Sequence, residues 1–255
     1  MKLSGRKRKE WLADGFPADG ILTQIDRVYA DPAVVAQRFF DTGTIWRIHT
    51  SKRADLLVMN VSGIPVCVKY FHDRRLRVQL RTFFGLAKGR RGYFSGLRLA
   101  GKGVKVPKQL ACIELRPFGP TIIVMDLLES IKTVTGWLSA RGARSDIPRA
   151  LIEKFAVFTA TLHRQGIFHC DFSPRNVMVQ GDGEALQFVL IDLEDVRFGR
   201  SANPQRCIQN LARFAREAAP YVSKRTVIQF LRNYIHEMGQ EVSAAGLMRK
   251  IMRAL

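Results

Sequence analysis

Apolar and polar positions alternate from 64 to 70, where Val66 and Val68 face one way and Cys67 and Lys69 the other, as in a half-buried strand. Residues 44–49 and 56–61 read as two more strands, and the Ser51-Lys52-Arg53-Ala54 and Ser62-Gly63 turns link all three into a meander. Leu76, Leu80, Phe83 and Ala87 recur at helical spacing, and a second helical piece over 93–100 stops at Gly101. Pro107 opens an extended region in which 111–115 and 121–125 pair around the Pro117-Phe118-Gly119-Pro120 turn. After Asp126 the period becomes helical. The clearest helix takes Ser145 or Asp146 as cap and Pro148 in its first turn, with Leu151, Phe155, Phe158 and Leu162 on one face, and Gly166 ends it. Ile208, Leu211, Ala212 and Ala215 mark another helix, and Val227, Phe230, Leu231 and Tyr234 a third behind a Ser223 cap. These stripes read as packing surfaces. Strands early and helices late describe an α+β fold in two lobes, a small antiparallel-sheet lobe over 1–125 and a mainly helical lobe over 126–255.

The chain has 255 residues, 47% of them hydrophobic, enough to bury a core in each lobe. Its longest apolar runs, near 121–125 and 188–193, are strand length, well below the about 18 residues of a membrane span. Lys2, Arg6, Lys7, Arg8 and Lys9 are followed by Glu10, Asp14 and Gly15 instead of an apolar signal-peptide core, so a cytoplasmic protein is expected. Cys67, Cys112, Cys170 and Cys207 form no C-x-x-C pair and imply neither a zinc site nor a disulfide framework.

Charge narrows the partners. Lys and Arg total 41 against 22 Asp and Glu, a formal net charge of +19, which draws the protein towards polyanions. Between Lys69 and Gln109 twelve Lys or Arg stand against one acid, Asp73, so the charge forms a belt. No RNA- or DNA-binding motif surrounds it, and no specific nucleic-acid partner is expected.

The stretch that carries chemistry runs from Leu162 to Val179 and reads H-x-D-x-x-x-x-N through His169, Asp171 and Asn176. A hairpin turning at Gly181-Asp182-Gly183 then returns the chain to the apolar strand 188–191 and Asp192. Phosphoryl transfer needs a carboxylate near the attacking hydroxyl and oxygen ligands for Mg²⁺ on the phosphates. The kinase template supplies them in this order and spacing. Asp171 is therefore the expected catalytic base, Asn176 and Asp192 the expected metal ligands, and ATP with Mg²⁺ the expected cofactors. His169 reads as a structural residue that holds the loop. Lys69 is the strand-borne lysine expected to contact nucleotide phosphates, and Met125-Asp126-Leu127-Leu128 occupies the place of the hinge, with Asp126 and Leu128 expected against adenine.

Three parts of that template are absent. No G-x-G-x-x-G stands between the first two strands, which leaves the Ser51-Lys52-Arg53 turn as the candidate phosphate contact. The stretch 71–111 offers no Glu to Lys69, and Glu194 stands where the metal-binding Asp is ordinarily followed by glycine.

From about Thr44 to Tyr234 the sequence resembles the lipopolysaccharide kinase family, the bacterial Kdo and heptose kinases of the Kdo/WaaP group. The resemblance rests on Val68-Lys69-Tyr70, Gly103-Val104-Lys105-Val106-Pro107, Leu162-His163-Arg164-Gln165-Gly166, His169-Cys170-Asp171 with Asn176, Ile191-Asp192-Leu193, Arg197, Asn210-Leu211 and the 230–234 helix. It implies a protein-kinase-like fold and transfer of the ATP γ-phosphate to a Kdo or heptose hydroxyl of the lipopolysaccharide inner core. A lipid A-linked inner-core glycolipid and the anionic inner-membrane surface would be the partners, met peripherally at the cytoplasmic face. A kinase for another small-molecule or protein acceptor, and a non-catalytic pseudokinase scaffold, are the alternative readings. Ser173, where protein kinases carry Lys, argues against an ordinary protein kinase.

Overall fold

Seven strands of the first half join one antiparallel sheet whose two faces carry different chemistry. The computed structural model describes residues 8–17, 20–30, 40–41, 45–51, 54–71, 87–115, 120–129, 131–142, 147–181, 183–239 and 243–254. It divides into two compact units, Met1–Lys102 with Pro107–Leu128, and Gly103–Val106 with Glu129–Leu255. Several expectations lie outside the described residues: the helical run at Leu76, Leu80 and Phe83, Arg74, Arg75, Arg77 and Arg81 of the belt, the Lys52-Arg53 and 116–119 turns, and the Ser145 or Asp146 cap.

In the first unit the sheet runs β1 (Arg8–Leu12), β6 (Gln109–Leu115), β7 (Thr121–Asp126), β5 (Ile64–Phe71), β4 (Ala54–Val61), β3 (Ile45–Thr50), β2 (Phe40–Asp41). The expected meander is its β3–β4–β5 part. Ser62 and Gly63 both adopt positive φ, as a two-residue hairpin between right-twisted strands demands, and Asn60 Oδ1 accepts the Gly63 amide at 2.7 Å. Helix α1 (Ile21–Tyr29) lays Ile21, Leu22 and Ile25 onto the face formed by Leu57, Met59, Val66, Val68, Ile113 and Val124. Its end is fixed by a buried ion pair: Asp55 takes Arg47 at 3.1 Å, the Thr50 hydroxyl at 2.6 Å and the Tyr29 hydroxyl. Helix α2 (Lys88–Ala100) covers the opposite face, the one that carries Lys69. Gly89 and Gly96 let it sit close, since a side chain at either position would collide with Thr121 or Gln109.

Neither β1 nor α1 is among the elements expected from the sequence, although Ile21, Ile25 and Tyr29 recur at helical spacing in α1. The edge strand Arg-Lys-Glu-Trp-Leu has too few apolar positions to show a period, and only pairing with β6 makes it a strand.

The second unit begins with β8 (Ile131–Thr133) and α3 (Val134–Ser139), where Thr133 Oγ1 caps the helix by accepting the Gly136 amide at 3.0 Å. Helix α4 (Arg149–Arg164) follows, then β9 (Ile167–His169), β10 (Val177–Gln180), β11 (Gln187–Leu190) and β12 (Val196–Phe198). These pair as β11-β10-β8 and β12-β9. Three helices close the unit: α5 (Pro204–Ala218), capped by Asn203, α6 (Lys224–Met238), capped by Ser223 as expected, and α7 (Ala244–Ala254). Their core gathers Ala156, Ala160, Leu211, Leu231, Tyr234, Leu247 and Ile251.

Two details of α4 differ from expectation. Pro148 is its N-cap and not a first-turn residue, and of the expected stripe Leu162 is buried, alongside Ile152, Ala156, Thr159, Ala160 and His163. Leu151 and Phe155 instead line an apolar cavity of about 1250 Å³, so that stripe is not simply a packing surface.

Candidate active site

Helix α4 delivers the chain to the site through a glycine. Gly166 has φ +68°, and a side chain there would strike the Gly199 carbonyl, so only glycine permits the turn from α4 into β9. Gly166 O accepts the Gly199 amide at 2.8 Å, and β9 then pairs with β12 at His169↔Val196. The loop that follows is anchored by its own backbone: Phe172 N donates to His169 O at 3.2 Å and Asn176 N to Ser173 O at 3.0 Å. Phe172, Ser173 and Pro174 are buried, and Pro174 O accepts the Thr135 amide of α3 at 3.0 Å. A loop tied at this many points presents its polar side chains from a rigid frame.

The side chains interlock. Asn176 Nδ2 donates to the Asp171 carbonyl at 2.9 Å and to Asp171 Oδ2 at 3.1 Å, and its own carbonyl accepts the Ile191 amide at 3.1 Å. His169 accepts the Asp171 amide at Nδ1 (3.1 Å), while its Nε2 faces the Ile191 and Asp192 carbonyls at 3.0 and 3.1 Å. An acceptor Nδ1 and a donor Nε2 define one neutral tautomer, so His169 staples the Asp171 loop to the Asp192 turn. The structural role expected of it is what these contacts describe.

Asp192 adopts the left-handed conformation, φ 57° and ψ 47°, which costs a non-glycine residue about 1 kcal/mol or more and is characteristic of functional positions. Glu194 follows within a 3-10 turn, Leu193–Asp195, a conformation open to any residue, so the expected glycine has no structural necessity here. Cys170 is an exposed free thiol beside Asp171.

Sequence reasoning missed the clamp behind this loop. Asn210 of α5 donates to His169 O at 2.9 Å and accepts the His169 amide at 3.2 Å, holding the backbone two residues before Asp171. His163 at the end of α4 is fully buried with Nδ1 2.9 Å from the Tyr234 hydroxyl, and burial pulls its pKa down to about 4. Tyr234 lies beside Cys207, and burial raises both of their pKa values. The family resemblance singled out Asn210-Leu211 in a closing helix without giving Asn210 a role at the loop.

Asp171, Asn176 and Asp192 are thus drawn together in the second unit. Lys69, Asp126 and Leu128 belong to the first. Lys69 stands on β5 opposite Ile123, partly exposed, its Nζ 5.4 Å from the Phe71 ring. Cys67, next along that face, has its thiol pushed up to about 12 by burial. Asp126 ends β7, where Oδ1 accepts the Lys108 amide at 2.6 Å and its own amide donates to Lys108 O at 3.0 Å. Burial raises its carboxyl pKa, with the Lys108 amide and charge opposing. Helix α2, on the Lys69 face, carries Lys88, Arg90, Arg91 and Arg98 and no acid. The register places Glu114 on this face: fully buried on β6, it lies across from Thr121, which in turn pairs with Phe71.

Asn176 and Asp192 offer a carboxamide and a carboxylate, the hard oxygen donors that suit Mg²⁺. The ion ordinarily keeps several waters and takes few protein ligands beside substrate phosphates. Among the described residues no group of three or more His, Cys, Asp or Glu is disposed to hold a metal.

The model of the lipopolysaccharide kinase (Kdo/WaaP) family matches residues 84–234, from just before α2 to the buried Tyr234. The chain belongs to this family. It is accordingly a kinase with a protein-kinase-like fold, and its family acts in lipopolysaccharide biosynthesis. No curated protein matches the chain by sequence. Among solved structures, WaaP in complex with acyl carrier protein is similar with a TM-score of 0.64 at 18% identity, covering 96% of this chain and 97% of that one. A double mutant of the Mycobacterium tuberculosis PknI kinase domain is similar with a TM-score of 0.50 at 13% identity, covering 82% of this chain and 93% of that one. At these identities the two structures support the fold.

Proposed function

We propose that this lipopolysaccharide kinase transfers the γ-phosphate of ATP, with Mg²⁺, to a Kdo or heptose hydroxyl of a lipid A-linked inner core at the cytoplasmic face of the inner membrane. The observation that carries the reading is the hydrogen-bonded unit of His169, Asp171, Asn176 and the left-handed Asp192. Asp171 takes the proton of the acceptor hydroxyl as that oxygen bonds to the γ-phosphorus. The bond from γ-phosphorus to the bridging oxygen breaks, and its electron pair departs with ADP. Asn176 holds the Asp171 carboxylate through Nδ2, and its Oδ1, with Asp192, would hold Mg²⁺. Bound Mg²⁺ supplies charge neutralisation on the phosphates. Lys69 contacts nucleotide phosphates, and backbone near Asp126 and Leu128 receives adenine. The formal net charge of +19 supports an acceptor and a surface dense in phosphates and carboxylates.

The test is phosphate transfer from labelled ATP to lipid A precursors bearing Kdo alone or Kdo with heptose. One added phosphate on the sugar portion is expected, and Asp171→Asn should lower turnover by about two to four orders of magnitude with ATP binding retained. Phosphate found only on protein acceptors would refute the acceptor class.

A second partner reading has its own support. The cavity of about 1250 Å³ is walled by Trp137, Phe155, Phe172, Phe214, Phe230 and Met248, an apolar lining that suits a fatty acyl chain, and the similar WaaP structure contains acyl carrier protein. Acyl-loaded carrier protein should raise the melting temperature of this chain by several degrees, and unacylated carrier protein should not. Equal effects of the two would exclude the cavity as the acyl site.

A further inference from the structure

The outer side of α2 and the edge strand β1 come together in one surface of the first unit, whereas the catalytic loop belongs to the second. Lys9 and Trp11 project from β1 on the side of Glu114 and Cys112, the face that α2 covers. Trp11 meets Phe94 of α2 edge to face with ring centroids 5.7 Å apart. Lys9 Nζ lies 5.0 Å from the Trp11 ring, and the Arg90 guanidinium lies 5.0 Å from Trp11 and 5.8 Å from Phe94.

Along α2, Arg90, Phe94 and Leu97 follow at i, i+4 and i+7, with Arg98 beside them, so they share one face. Phe94 and Leu97 are 40% and 44% exposed. The helix cannot roll to bury them, because Gly89 and Gly96 lock its other side against Thr121 and Gln109. An ordinary solvated face mixes charges of both signs, whereas α2 has no acid at all.

We infer that Lys9, Trp11, Arg90, Phe94, Leu97 and Arg98 form a docking face for an anionic phospholipid bilayer, with the rings and Leu97 at headgroup depth and the cations against lipid phosphates. Exposed aromatic and aliphatic side chains among cations, with no acid on the helix, are the composition of interfacial membrane helices. Cation–π contact keeps the Trp11 ring in register with the charges. Leu97 offers no ring for a base to stack on, which favours a lipid surface over nucleic acid. The inference rests on the proposed site of action at a membrane and deepens it by naming the surface.

The experiment uses the full chain and vesicles of phosphatidylethanolamine with phosphatidylglycerol, compared with phosphatidylcholine. Phe94→Ser with Leu97→Ser should weaken cosedimentation with the anionic vesicles by about tenfold. Arg90→Gln should weaken it several-fold and flatten its salt dependence. Circular dichroism should be unchanged, and so should phosphate transfer to detergent-dispersed glycolipid. Variants that sediment like the parent overturn the face whatever the kinase assay gives, and so does parent binding that is equal on phosphatidylcholine. Vesicle binding lost in the variants, with no glycolipid phosphorylated by the parent, would instead refute the proposed function and leave the docking face standing.

Discussion

His163 shows what a single buried side chain can do to a whole stability curve. Burial holds its pKa at about 4 against about 6.5 in the unfolded chain, with the Asn210 side chain pulling the other way. Between those values the unfolded state binds a proton that the native state refuses, so stability rises with pH across the window and falls as the medium is acidified. The full effect is about 3 kcal/mol. Urea midpoints of the parent should fall from pH 7 to pH 4.5 by more than those of His163→Gln, whose amide does not titrate. Equal slopes would mean that His163 takes up its proton in the folded state. At this scale the sequence was readable where spacing along the chain sets the chemistry. Asp171 and Asn176 sit five residues apart on one loop, and their side chains meet at 3.1 Å. Where partners lie 41 or 71 residues apart, as for Asn210 with His169 and Tyr234 with His163, no local spacing can announce them.

Among the elements, α5 acts on the site most directly. Its Asn210 bonds both the amide and the carbonyl of His169; the carbonyl keeps the Phe172 amide, so Asn210→Ala leaves the buried His169 amide without a partner and should cost about 2 kcal/mol of stability. Because the clamp orients the loop and not the nucleotide, kcat should fall at least tenfold with the KM for ATP little changed. Asn210→Asp keeps an acceptor for the His169 amide and should recover part of the loss. A matched fall in thermal stability with no change in kcat would reduce Asn210 to a packing residue. The helices and central strands were legible because each buries a continuous face: Ser223 caps α6 as read, and Val66 and Val68 enter the core with Lys69 on the opposite face. The α4 stripe packs at Leu162 and Phe155 as read, but aromatic residues at helical spacing mark an apolar environment without saying whether protein fills all of it. Here Phe155 meets Phe188, Phe214 and Phe230 at the wall of a cavity.

Across the whole molecule, composition constrained the partners and topology distributed the residues that meet them. A net charge of +19 is a property of the sequence and already implies an anionic surface or substrate. Where the charge lies follows from pairing: β1 joins β6 at the sheet edge and brings Lys9 and Trp11 to Arg90 and Phe94, some eighty positions further along. A window from 71 to 111 likewise cannot reveal Glu114, which strand register carries onto the face of the sheet that also holds Lys69. By itself the sequence determined the α+β class and the family, because periodicity and short-range spacing are local and survive in one dimension. Tertiary structure decided the His169 staple with its tautomer, the Asn210 clamp, the left-handed turn at Asp192 and the cationic aromatic face, because each depends on groups far apart in the chain coming within a few ångströms of one another.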